Sequence, residues 1–390
     1  MVDLKKEIKL SDLRPKRKPK QQSTGSVTTS KAQRKPRKQE FVGLKVGASQ
    51  LAAAQVSNDN GHRLLRVARQ PLEPGIVVGG EVRDITGLAA ALDEFFTTNK
   101  LPRKNVRLGI GTNRVGVRTL EVSGISDEKQ LGNAVAFRAH EALAIPMDQA
   151  VLDYHLLGTT TSETGDVTHR VVLAAAYREP IDHFVAAFHA ANIELAAIDV
   201  EAFALLRAVA PPNGAAPEDH AAIVAMAIGH DRSTLAISDG EICDFTRVLE
   251  WGGAKLDVAL SRELGLGQEE ASELKRSIDL RDEWAAEDSD DPRLAKGREA
   301  VKRELLNLAR ELIASLQFYQ GQPGSRAIGE ILVTGGTTRM PGLVEELERL
   351  VRARIRVADP LIAVRPDGSD ISARDDLASL AVAIGLGVDV

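Results

Sequence analysis

A chain of 390 residues, 43% apolar but only 4% aromatic, is too long for one ordinary core and suits two lobes packed chiefly with Ala, Val, Leu and Ile. Its net charge of −5 conceals an asymmetry: residues 1–40 hold 13 Lys or Arg against four Asp or Glu, a local +9 that leaves −14 on the rest. The single cysteine, Cys243, excludes an intrachain disulfide and a cysteine zinc cluster, and no apolar run reaches the roughly 20 residues of a membrane span or forms the middle of a signal peptide.

Residues 1–40 read as a disordered basic tail, with Pro15, Pro19 and Pro36 and a polar run from Gln21 to Ser30. Leu4 and Ile8 mark one short stretch able to fold on a partner or touch anionic lipid. No aromatics interleave the basic residues, so nucleic acid is not an expected partner. Ordered structure is expected from Phe41, with strands at Val42–Val46, Leu51–Val56 and Leu64–Ala68 joined by turns at Gly47-Ala48-Ser49 and Asn58–Gly61. A helix over Ile85–Thr97 and a strand over Val106–Gly111 follow. Residues 118–198 read as strand, helix (Ser126–Leu143), two strands, helix (Ile181–Ala191) and strand, with Ser126 as N-cap and Asp127 and Glu128 in the first turn.

The second half opens with strands Ile223–Ile228, Thr234–Ser238 and Ile242–Leu249, turning at Gly229 and Asp239-Gly240. Helices are expected over Lys255–Leu264 and Glu269–Ile278, then a charged hinge over Asp288–Arg293. In a long helix beyond it, Val301, Leu305, Leu308, Leu312, Leu316 and Tyr319 recur at three- and four-residue steps, the mark of one buried stripe. Strand Ile331–Thr334 runs into Gly335-Gly336 and a helix near Pro341.

Val42–Ser49 is echoed by Ala225–His230, each opening a three-strand meander. Glycine at such a turn permits close approach and positive φ, so that backbone N–H groups meet phosphate oxygens. Two facing meanders of this kind resemble the way the actin, chaperone and sugar-kinase superfamily holds ATP, and Thr334-Gly335-Gly336-Thr337 then reads as an adenosine loop. The resemblance narrows further along. Phe245–Val248 with Trp251-Gly252-Gly253, Leu264–Leu266 with Glu269–Ala271 and Leu274–Arg276, Leu316–Tyr319, Ile331–Leu343, Val357–Pro360 and Ala381–Val388 are similar to the type IV pilus PilM family, relatives of the cell-division actin homologue FtsA. The similarity runs from about Phe41 to the C-terminus.

The resemblance implies a nucleotide site of Lys45, Gly47, Ala48, Ser49, Gly229, His230, Lys275, Arg276, Gly335, Gly336 and Thr337, with Lys275 and Arg276 near ribose or adenine. It also exposes departures. The family's metal-organising Asp, two residues before each turn glycine, is here Lys45 and Ala227, and its phosphate-touching Lys falls at Ala52. Magnesium needs carboxylate oxygens and phosphoryl transfer needs the metal, so ATP is expected to be held weakly or not at all, magnesium poorly, and turnover to be poor. Lys45 is positioned to take over part of the metal's charge by pairing with phosphate. His140, His155, His183 and His189 lack metal-ligand spacing, Cys243 reads as core, and Gly109-Ile110-Gly111 lacks the rest of a dinucleotide fingerprint.

The expected fold is α/β: a two-lobed actin-like, duplicated ribonuclease H-like architecture with an inserted FtsA-like subdomain. Its parts are a basic tail (1–40), a first lobe (41–117), the insert (118–198), a return to the first lobe and linker (199–220), and a second lobe (221–390). The resemblance implies a cytoplasmic protein, peripheral at the inner membrane, that binds the N-terminal cytoplasmic peptide of a PilN-like membrane protein through the first lobe and insert, and links it to other platform proteins and the motor. No catalytic residue and no metal ligand is assigned. The alternative is an active FtsA-like ATPase or polymerising cytoskeletal protein.

Overall fold

The computed structural model describes residues 39–59, 61–125, 128–143, 145–162, 166–210, 221–240, 242–281, 292–368 and 377–389. The expectations for the tail before residue 39, the Ser126–Asp127 cap, the linker over 211–220 and the hinge before Pro292 fall outside them. In chain order the elements are β1 (Glu40–Val46), β2 (Gln50–Ser57), β3 (Arg63–Pro71), the short β4 (Val77–Val78) and β5 (Glu81–Val82), α1 (Ile85–Thr98), β6 (Val106–Ile110), β7 (Val115–Ser123), α2 (Glu128–Ala142), β8 (Ala150–Thr161), β9 (Val167–Tyr177), α3 (Arg178–Ala190), β10 (Leu195–Val200) and α4 (Glu201–Val209). The second half comprises β11 (Ala222–Ile228), β12 (Ser233–Ser238), β13 (Cys243–Leu249), α5 (Gly253–Leu264), α6 (Gln268–Ser277), α7 (Pro292–Gln320), β14 (Ile328–Thr334), α8 (Leu343–Val351), β15 (Ile355–Val357), β16 (Arg365–Pro366) and α9 (Ala381–Gly387).

Two sheets carry the duplication. The first has strand order β10-β6-β1-β2-β3-β16 and the second β13-β12-β11-β14-β15. In each, an antiparallel meander (β1-β2-β3 or β11-β12-β13) is extended by parallel strands on the side of its first strand. Both faces of the first sheet are covered, which is why β2 is apolar nearly throughout. Leu51 and Ala53 enter the core shared with α1 and α3, whereas Ala52, Ala54 and Val56 enter the one shared with α9. The third sheet, β7-β9-β8, has its own core with α2 around Leu131, Val135, Val171 and Leu173. By contrast α3 packs Phe184 and Phe188 with Phe95 and Phe96 of α1, and β10 pairs with β6. On the second sheet's outer face, α7 buries the stripe from Val301 to Tyr319 that its periodicity predicts.

Helices α4 and α9 lie between the two large sheets. Helix α4, which leaves the first sheet through β10, packs Ala202, Leu205 and Val209 on the second sheet's Ala225, Ala227 and Ala236. The later α9 returns from the second half to pack Ala383 and Ile384 on Ala54 and Val56 of the first. The two helices touch backbone to backbone: a Cβ built on Gly385 would lie 1.7 Å from the Ala204 carbonyl oxygen. Likewise a Cβ on Gly43 of β1 would lie 2.0 Å from the Ala383 oxygen. Arg207 of α4 donates from Nε to the Gly385 carbonyl at 2.9 Å and pairs with Asp199.

Alanine ordinarily stabilises a helix relative to glycine, so the sign of the substitution reports the space available. Gly385→Ala is expected to cost about 1–3 kcal/mol because only backbone can yield at Ala204. Gly132→Ala in α2, where a Cβ meets nothing nearer than the Tyr154 hydroxyl at 3.5 Å, should be neutral or gain up to about 1 kcal/mol. Denaturant unfolding of the two variants beside the parent checks this. Equal destabilisation of both would show that helix crossing is not what selects Gly385.

Candidate functional site

The turns after β1 and β11 are built alike. Gly47 N–H donates to the Gln50 carbonyl and Gly229 N–H to the Arg232 carbonyl, each at 3.0 Å. Neither glycine has positive φ, which corrects the expectation from sequence. Crowding within the turn is what requires glycine at Gly229, where an added Cβ would lie 2.7 Å from the Arg232 oxygen; at Gly47 the corresponding approach to the Gln50 oxygen is a milder 3.1 Å. Because these N–H groups close their own turns, the N–H groups without a backbone partner among the described residues include those of Ala48 and Ser49 in one turn and His230 and Asp231 in the other. Gly335 differs. It has φ +105°, and a Cβ there would lie 2.2 Å from the Ile228 oxygen.

Both turns face one cavity of about 510 Å³ between the large sheets. Lys45, Gly47, Ala48, Ser49, Gly229, His230, Lys275, Arg276, Gly335, Gly336 and Thr337 all line it. Several are committed to structure. The Thr337 hydroxyl donates to the Gly229 carbonyl at 3.0 Å, and the same oxygen accepts from Gly253 N–H at 2.9 Å. That contact, with Ala254 N–H on the His230 carbonyl at 2.8 Å, seats the start of α5 on the second turn. A Cβ on Gly252 would lie 2.4 Å from the His230 oxygen, so Trp251-Gly252-Gly253 is a close-packing device. Trp251 is buried, and its indole N–H donates to Glu304 at 2.9 Å.

The charges are arranged in pairs. Lys45 Nζ lies 3.1 Å from Glu201 Oε2, and Glu201, whose side chain is 7% exposed, also accepts from the Thr234 hydroxyl at 3.2 Å. One carboxylate at the start of α4 thus ties β1 of the first sheet to β12 of the second. Lys275 lies neither on a solvated face nor free at the cavity rim. Its Nζ is 2.7 Å from both oxygens of Asp257, a side chain only 4% exposed, and donates to the Gly253 carbonyl at 3.2 Å. Arg276, its neighbour, is exposed. Arg232, 12% exposed, pairs with Asp231 at 3.3 Å and presses its guanidinium against Gly80 in the β4–β5 hairpin, so the two halves also meet at the cavity rim. Sequence reasoning missed Glu201, Arg232 and Asp257. For Glu201 the available signal was a carboxylate immediately after a strand, at the point where a helix begins.

No group of three or more His, Cys, Asp or Glu stands together as a metal site among the described residues. Cys243 is no nucleophile. Burial, with Asp244 beside it, pushes its thiol up to about 12, so it remains protonated at neutral pH.

A second cavity, about 550 Å³ and mostly apolar, opens between the small sheet and the first large sheet. Tyr154 and Ala174 line one wall, Val185 and Phe188 of α3 another, and Ala197 and Ile198 of β10 the floor. β8 and β10 each border it as the edge strand of a sheet. Val185 is 43% exposed here.

Removing one partner of a buried pair leaves a bare charge. Lys275→Ala is therefore expected to cost about 3 kcal/mol, and Lys275→Gln combined with Asp257→Asn clearly less, by urea unfolding. A single variant no worse than the double would mean that Asp257 finds other solvation.

The matching model of the type IV pilus assembly protein PilM family spans residues 43–389. A solved PilM-PilN type IV pilus biogenesis complex is 25% identical over 90% of this chain and 98% of the other, with a TM-score of 0.73. The ethanolamine utilization protein EutJ from Carboxydothermus hydrogenoformans is similar in fold, at 14% identity over 89% of each chain and a TM-score of 0.52. The two lobes are actin-like, and the chain belongs to the type IV pilus assembly protein PilM family.

Proposed function

We propose that this member of the pilus assembly family works as an actin-like scaffold that captures an extended segment of a PilN-like membrane protein in the apolar groove, and that its interlobe cleft holds a nucleotide without turning it over rapidly. The observation that carries the first part is the groove bordered by two strand edges. An unpaired edge offers main-chain hydrogen bonds to an added strand, and alternate side chains of that strand then drop into apolar pockets. Among the described residues no helix is long and apolar enough to cross a membrane. On this reading the chain reaches the cytoplasmic face of the inner membrane through its partner, with the basic tail adding attraction to anionic lipid.

The cleft reading rests on a cavity of nucleotide size ringed by the Gly47, Gly229 and Gly335 turns and by basic side chains. Slow turnover is proposed because the residues two before the turn glycines are Lys45 and Ala227, which offer a metal nothing. Groove and cleft share one stretch of backbone: Asp199 and Val200 line the former and Glu201 the latter. Nucleotide that moves Glu201 is therefore expected to bias the groove.

Fluorescence anisotropy with a labelled N-terminal cytoplasmic peptide of the PilN-like protein tests the groove. Ile198→Asp or Val185→Glu should weaken binding at least tenfold, while Phe137→Ala on the exposed face of α2 should not. Unchanged binding in the groove variants removes the assignment, and equal affinity with and without ATP removes the coupling. A phosphate-release assay addresses turnover. The parent is expected at background, and Lys45→Asp with Ala227→Asp, which adds two carboxylates beside Glu201, should raise the magnesium-dependent rate. Brisk release by the parent would reverse this part of the reading.

A further inference from the structure

We infer that the cleft takes a nucleotide polyphosphate without a divalent cation, the Lys45 ammonium supplying the countercharge while Glu201 holds it in place. The inference rests on the nucleotide reading above. Its basis is the donor chemistry of the cavity. Magnesium in such a site needs one or two available carboxylates besides phosphate oxygens. Among the described residues only two carboxylates, Glu201 and Asp231, line the cavity, and each already holds a cation of the same chain: Lys45 at 3.1 Å and Arg232 at 3.3 Å. Five Lys or Arg side chains line the same cavity: Lys45 and Arg232, which hold those two carboxylates, Lys275, which is paired with Asp257 beneath it, and Arg276 and Arg339. A lining with this balance repels a free divalent ion and attracts a naked polyanion.

Lys45 suits the bridging role. An ammonium has three donors, and the pair with Glu201 occupies one, leaving two for phosphate oxygens. The buried carboxylate need not be uncovered when ligand arrives, so its desolvation is not incurred a second time. Lys45 is 23% exposed at the side chain, whereas Glu201 is 7% exposed, so the ammonium lies on the more open side of the pair. Arg232 also lines the cavity, beside the turn whose His230 and Asp231 N–H groups have no backbone partner among the described residues, but its Nη1 is buried against Gly80 and its Nη2 is taken by Asp231. A magnesium ion arriving on the nucleotide would meet the Lys45 ammonium where a carboxylate ought to be, and part of the ligand's negative charge would already be spent on the metal.

Calorimetric titration of the full chain with ATP, once in EDTA and once in excess magnesium, tests the inference. The expected result is binding in EDTA at least as tight as in magnesium. Lys45→Met combined with Glu201→Gln, which removes both members of the pair and leaves no bare buried charge, should weaken binding in EDTA about tenfold or more. Lys45→Asp combined with Glu201→Gln, which supplies a carboxylate without leaving Glu201 as a bare buried charge, should reverse the preference, so that binding is tighter with magnesium than in EDTA. Binding by the parent that is tenfold tighter with magnesium overturns the inference and leaves the nucleotide reading standing. The inference falls in the same way if the variant with Lys45→Met and Glu201→Gln, verified as folded by circular dichroism, binds as the parent does. Absence of binding in both arms overturns the nucleotide reading and this inference together.

Discussion

The architecture depends on two helices that exchange sides. Helix α4 leaves the first sheet and packs on the second; α9 comes from the second half and packs on the first. Their crossing at Gly385 and Ala204 brings backbones closer than any side chain allows, and Gly43 grants α9 the same approach to β1. Each lobe's inner face is therefore covered by the other half of the chain. Neither inner face can be finished alone, and the cleft is formed at the line where the exchange takes place. Small residues are the condition for this. Ala202, Ala204, Ala208, Ala225, Ala227, Ala236, Ala381 and Ala383 supply most of the layer, which brings the sheets near enough for Glu201 to reach both Lys45 and Thr234.

That closeness accounts for the electrostatics. An acid at the first turn of α4, buried between two sheets, is tolerable only when paired and hydrogen-bonded. Lys45 and Thr234 meet that demand from opposite halves. The pair works as a positional tie across the cleft as well as a charge pair, and the second buried acid, Asp257, is met the same way by Lys275 within the second lobe. Both lysines are consequently anchored, so each ammonium stands at a fixed place on the cavity wall with little side-chain entropy left to lose. Arg232, wedged against Gly80, completes the tie at the rim.

Much of this was legible in the sequence, for identifiable reasons. Short apolar strands and tight glycine turns announced both meanders, and the leucine stripe announced α7, because those signals depend only on near neighbours. The convergence of Gly47, Gly229 and Gly335 on one cavity followed from recognising the repeat. What sequence could not supply were facts about which surfaces meet. The need for glycine at Gly229 comes from crowding in the turn and not from φ, a distinction invisible without coordinates. The resemblance puts Lys275 near ribose or adenine, but nothing in the sequence shows that Asp257, 18 residues earlier, lies beneath it. The crossing of α4 and α9 joins segments about 180 residues apart, and alanine-rich stretches announce burial without naming the partner.

The same backbone that makes the exchange also joins the two cavities. β10 forms the floor of the apolar groove, and without a loop between them it becomes α4, whose first residue is Glu201. On the proposed reading, a ligand that shifts the backbone at Glu201 relative to β1 also tilts β10 or moves the lobes about α4, since no loop separates the strand from the helix. β10 is an edge strand, held by β6 alone among the large-sheet strands, and its pairing is irregular between Leu195 and Ala197. It is the more compliant side of the junction. Coupling of this kind is bounded by how differently a ligand binds the two arrangements, typically 1–3 kcal/mol or about 5- to 150-fold in affinity. That range is enough to tune the capture of a partner strand. On the proposed reading it requires no hydrolysis, because a ligand that favours one arrangement shifts the equilibrium by binding alone.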